Sequence, residues 1–140
     1  MSTLDALQAA LAGEHACLYG YGLLGPYVSA GDEPAVRAAY DAHRLRRDQL
    51  AAQVRARSAD PVVALAAYGV PFAVVDPVTA RRLAGLLEQR LAPLYADLVG
   101  VTSNPTLRET ATRALVEAAV RGALWTGDTT ALPGVDPVSP

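Results

Sequence analysis

An all-α fold, a bundle of four helices with one long crossover between the second and third, is what this sequence predicts. Three observations carry that prediction. Apolar residues recur every three to four positions through most of the chain, the period of a helix with one buried face. Helix-start signals stand at Ser2-Thr3, at Asp32 in "GDEP", at Asp76-Pro77 and at Asn104-Pro105. Of the three connections between the helices so marked, two are short and one is long.

Helix 1 is expected from Ser2 or Thr3 toward Ala30, with a bend at Gly25-Pro26, where proline removes a backbone donor. Helix 2 follows with Asp32 as its cap and runs to about Arg57. Helix 3 starts with Asp76 as cap and Pro77 in the first helical position, and runs to about Val101 with Pro93 inside it. Helix 4 starts the same way at Asn104-Pro105 and ends near Thr126, before Gly127. The bundle is thus assigned to residues 1–126. Residues 127–140, "GDTTALPGVDPVSP", are too rich in proline and glycine for helix and are read as an extended tail.

Connection lengths set the topology. A few residues around Gly31 join helices 1 and 2, and "TSN" joins helices 3 and 4, so each pair is an antiparallel hairpin. Between the hairpins lies "SADPVVALAAYGVPFAVV". A helix of about 25 residues is roughly 37 Å long. This segment can span it even with a short helix at "PVVALAAY" capped by Asp60, which makes helix 3 parallel to helix 2. Two antiparallel hairpins joined by one long crossover is the connectivity of ferritin-like bundles.

The 140 residues suffice for one domain with a sizeable core, and the formal net charge is −2. Without a basic surplus, nucleic acid is not an expected partner. Cys17 is the single cysteine, which rules out an internal disulfide and a cysteine-rich zinc site; it reads as a small buried apolar residue. The N-terminus has no basic start followed by an apolar run, and no stretch is long enough for a membrane span, so a cytoplasmic protein is expected.

The inward stripes carry ionisable groups. On helix 1, Glu14 shares a face with Leu7, Leu11, Leu18 and Tyr21. Helix 2 can be read with the stripe Val36, Tyr40, His43, Arg47, Leu50 and Val54, and helix 4 with Leu107, Thr110, Ala114, Glu117, Arg121 and Leu124. On helix 3, Glu88 lies beside Leu87 and Leu91, with Tyr95 two turns on. A carboxylate in a core is costly unless a metal, a cation or several donors meet it.

Metal is one solution. A carboxylate-bridged dinuclear bundle takes a Glu from each of two helices and a Glu-x-x-His pair from each of the others. Glu14 and Glu88 match the single glutamates. The pairs are incomplete: "YDAH" keeps His43 but has Tyr40 in the glutamate position, and "EAAV" keeps Glu117 but has Val120 in the histidine position. Glu14, His43, Glu88 and Glu117 are therefore the candidate ligands for iron or manganese. Arginine is the other solution, because its guanidinium stays charged and bridges carboxylates. Arg47 and Arg121, one turn beyond His43 and Glu117, are expected to reach inward and complete a metal-free cluster of Glu14, Tyr40, His43, Arg47, Glu88, Glu117 and Arg121. Arg44 and Arg46 are expected to face solvent.

The segments "ALQAALAGEHACLYGYGLLG", "AAYDAHRLRRDQL", "YGVPFAVVDP", "LEQRLAPLYADLV" and "EAAVRGALW" together resemble a bacterial, mainly actinobacterial, ferritin-like family of unknown function. The resemblance extends from about Leu4 to Gly134 and implies a ferritin-like four-helix bundle; it implies no substrate. The expected protein is non-catalytic and cofactor-free, a homodimer through helix faces, acting on a small ligand or a protein partner. The alternative is an iron or manganese carboxylate protein.

Overall fold

The computed structural model describes residues 1–127. The chain forms α1 (Thr3–Leu24), a single 3-10 turn (Gly25–Tyr27), α2 (Glu33–Arg55), α3 (Pro77–Val101) and α4 (Pro105–Thr126), packed as a four-helix bundle. Residues 56–76 form the crossover between α2 and α3. The tail expected over 127–140 lies, beyond Gly127, outside the described residues.

The caps account for the helix starts. Ser2 and Asp5 form a reciprocal capping box at α1, and Asp76 and Thr79 form another at α3. The Asn104 side chain accepts the Leu107 N–H at the start of α4, and Gly127 closes that helix in the left-handed region at φ 78°. Helix 1 stops at Leu24, short of the expected Ala30, because Pro26 cannot continue the ladder and a 3-10 turn takes over. Asp32 does not cap α2 with its side chain. Its two carboxylate oxygens instead accept from Arg81 Nη1, each at 2.8 Å, tying the start of α2 to the start of α3. Pro93 lies inside α3 without ending it.

The short helix expected at "PVVALAAY" does not form. α1 side chains engage that backbone instead. Gln8 donates to the Asp60 carbonyl and accepts from the Val62 N–H, and His15 bonds the Val62 carbonyl at 3.1 Å. Tyr68 then packs on Tyr19. The crossover therefore climbs along one face of α1 before Phe72 reaches α3, where the Arg82 guanidinium lies 4.2 Å from its ring centre.

α1 packs against α2 and α3, and α3 packs against α4. The α1–α3 contact is close because Gly13 and Gly20 of α1 receive Leu94 and Leu87 of α3; a Cβ on either glycine would collide with the leucine. These two glycines therefore serve packing within the chain. α2 and α4 barely touch, which leaves a cleft along that side of the bundle.

Candidate functional site

Glu14, His43 and Glu88, from α1, α2 and α3, meet at mid-bundle, and each is almost wholly excluded from solvent. The His43 ring lies between the two carboxylates. Its Nδ1 is 2.6 Å from Glu14 Oε2 and its Nε2 is 2.8 Å from Glu88 Oε1. With a carboxylate accepting at each nitrogen, both nitrogens carry protons and the ring is an imidazolium. Burial by itself disfavours that charge. The hydrogen bonds and negative charges of Glu14 and Glu88 outweigh it and raise His43 from 6.5 to about 9.

Two tyrosines complete the carboxylates in a crossed arrangement. Tyr21 of α1 donates to Glu88 Oε1 at 2.7 Å, while Tyr95 of α3 donates to Glu14 Oε1. Each helix carries Glu-x6-Tyr, two turns apart on one face. Because α1 and α3 are antiparallel, each glutamate lies level with the other helix's tyrosine. Burial and the neighbouring carboxylates push both phenols well above their ordinary range, so they remain donors. Trp125 Nε1 donates to Tyr21 Oη at 2.9 Å and ties the end of α4 to this network. Burial, reinforced by Glu14 and Glu88, also keeps the Cys17 thiol protonated.

The cluster continues toward α4. Glu88 Oε2 has no hydrogen-bond partner, and Arg121 Nη1 stands 3.5 Å from it. Glu117 is at the edge, its side chain 39 % exposed; it accepts from Arg46 Nη2 at 2.9 Å and lies 3.6 Å from Arg121. Three acids, Glu14, Glu88 and Glu117, thus face three cations, His43, Arg46 and Arg121, and the charges balance.

Two expected members stand elsewhere. Tyr40 is 38 % exposed and makes no hydrogen bond to the cluster. Arg47 turns outward to Asp48, 2.8 Å away. The inward stripe of α2 is Val36, Ala39, His43, Leu50 and Val54. Three residues past His43 is about 60° short of a full turn and four is about 40° beyond it. Arg46 therefore flanks the stripe on the α4 side, and Arg47 flanks it on the side of α1 and the crossover. Arg46, expected to face solvent, is the inward arginine. Leu124, expected on the α4 stripe, is 70 % exposed. Tyr21, Tyr95 and Trp125 lie outside the cluster expected from sequence; the repeated Glu-x6-Tyr spacing was a signal for the first two.

This donor set does not fit a dinuclear metal centre. Metal ligands must converge on one point, whereas the carboxylates converge on the imidazolium and use up both ring nitrogens. Glu117 is engaged by two guanidinium groups. Among the described residues, no group of three or more His, Cys, Asp or Glu side chains is arranged to hold a metal ion.

Residues 6–137 match the family profile of DUF4439, a domain of unknown function. The chain belongs to the DUF4439 family. A solved structure of a conserved hypothetical protein, Rv2844, from Mycobacterium tuberculosis is similar to this DUF4439 chain at 34 % identity with a TM-score of 0.86, over 89 % of this chain and 95 % of that one. No curated protein matches. No helix among the described residues of the DUF4439 bundle is long and apolar enough to cross a membrane.

Proposed function

We propose that this DUF4439 bundle is a metal-free, non-catalytic protein that works by binding. The observation that carries this reading is the His43 ring held between Glu14 and Glu88, at 2.6 and 2.8 Å, where its protonated form puts a positive charge of the protein's own at the centre of a ferritin-like bundle. A divalent cation at the same place would have to displace a proton from His43 and separate it from two short charge-assisted bonds. Elemental analysis of protein purified without chelator, with and without added iron and manganese, tests the reading. Less than a tenth of an ion per chain is expected under both conditions, on the order of contamination. One or two ions per chain, lost in Glu14→Gln, would instead establish Glu14, His43, Glu88 and Glu117 as ligands and the protein as a carboxylate metalloprotein.

The bundle also pairs with a second copy, in this reading, through α4. Val116, Val120 and Leu124 are all more than half exposed and follow one another at four-residue spacing, forming an apolar strip one helix-face wide. Two such strips packed antiparallel about a two-fold axis at Val120 would set Val116 against Leu124 of the other copy. Light scattering on the same preparation should give twice the chain mass, and Val120→Glu should halve it. A monomeric wild type would end this assignment.

A further inference from the structure

We propose that the cleft between α2 and α4 binds a small monocarboxylate with an apolar body. The cleft has a volume of about 320 Å³. Its floor is apolar: Leu50, Leu98, Leu107 and Ala111, with the ring of Tyr95, all belong to the core. Its rim is polar, and part of its hydrogen-bonding capacity is already used within the protein. The Gln53 side-chain oxygen is taken by Arg57 Nη1 at 2.9 Å, and the Asn104 side-chain oxygen by the Leu107 N–H at 2.9 Å. The Thr110 hydroxyl donates back to the Thr106 carbonyl. Spare donors remain around the cleft: the amide nitrogens of Gln53 and Asn104, and Arg46, which spends only Nη2 on Glu117. Gln49, also on the rim, has no hydrogen-bond partner among the described residues and offers both amide N–H and an amide oxygen.

A rim of spare donors over an apolar floor calls for an acceptor-rich head on a hydrophobic body. The guanidinium N–H groups that Glu117 leaves unused can donate a charge-assisted hydrogen bond to a carboxylate oxygen. The charge available sets the upper limit. Arg46 is the single cation of the cleft and is already shared with Glu117, so a monoanion fits and a phosphate dianion or a nucleotide does not. The site communicates with the buried cluster, because Arg46 joins it through Glu117 and Tyr95 joins it through Glu14.

This inference rests on the reading of the bundle as a binding protein and supplies its ligand class. Titration of the full chain with octanoate, octanol and octylamine, followed by calorimetry and by amide shift mapping, tests it. Octanoate should bind with shifts centred on Leu50, Leu107 and Thr110, and octanol and octylamine should bind at least about tenfold more weakly. Arg46→Gln should weaken octanoate by about tenfold while leaving octanol unchanged. Thr110→Leu, which grows an apolar side chain into the cleft without touching the ion-pair network, should abolish binding of both and keeps the test decisive if Arg46→Gln does not fold. Absence of octanoate binding, equal affinity for octanol, or binding undiminished in Thr110→Leu would overturn the proposal. Metal content measured on the same batch separates the two readings: octanoate binding by a metal-loaded protein would refute only the metal-free reading, and a metal-free protein that ignores octanoate would refute only this one.

Discussion

Replacing His43 with leucine should lower the stability of the bundle by ~3–5 kcal/mol, the cost of stripping the counter-charge from a buried ion cluster. Among the described residues, the imidazolium alone hydrogen-bonds both Glu14 and Glu88. Without it, the two carboxylates keep only one tyrosine each, and Arg121 approaches Glu88 no closer than 3.5 Å. The size of the loss should come from uncompensated charge rather than lost volume, since leucine and histidine are similar in bulk. A triple variant, His43→Leu with Glu14→Gln and Glu88→Gln, should therefore be more stable than the single variant, by roughly 1–2 kcal/mol, although it departs further from the native sequence. Urea unfolding of both variants measures this. A single variant within 1 kcal/mol of wild type would show that the cluster carries little of the stability.

Stability should also fall as the solution is made alkaline, between about pH 6.5 and pH 9. His43 titrates near 6.5 in the unfolded chain and near 9 in the folded one, so the folded state binds the proton more tightly. Its contribution is complete below pH 6.5, shrinks as the pH rises through the window, and is gone above about 9. The gap corresponds to about 3 kcal/mol at most. That agrees in size with the substitution, as it should, since deprotonation removes the same charge. Tyr21, Tyr95 and Cys17 stay protonated throughout because burial raises all three. Urea midpoints across the window should decline toward pH 9, and the His43 ring resonances should shift with a midpoint near 9. A midpoint below 6.5, or stability that rises across the window, would mean that the ring is neutral in the core and the cluster is a neutral hydrogen-bond network.

Both expectations depend on a group that the sequence placed correctly and on contacts that it did not reveal. The starts of α3 and α4 were legible because Asp76-Pro77 and Asn104-Pro105 join a capping side chain to a residue already locked at a helical φ. The crossover was legible because chain length alone separates an antiparallel hairpin from a parallel return. The burial of Glu14, His43 and Glu88 followed from helical period, since a residue one turn from two core positions shares their face. These are properties of a single helix, and one-dimensional information specifies them.

Which neighbour a residue on that face would meet was decided only by tertiary packing. Arg46 and Arg47 differ by one position, and the way α2 is rotated against α1 and α4 sends one to Glu117 and the other to Asp48. Tyr40 was misplaced for the same reason. The crossed bonds of Tyr21 to Glu88 and Tyr95 to Glu14 need the antiparallel register of α1 on α3, which Gly13 and Gly20 help to set by receiving Leu94 and Leu87. The crossover segment "PVVALAAY" lost its helix to Gln8 and His15, residues some fifty positions away. Helical period gives each side chain a direction within its own helix. Rotation, register and long-range backbone capture are relations between elements, and only the folded chain sets them.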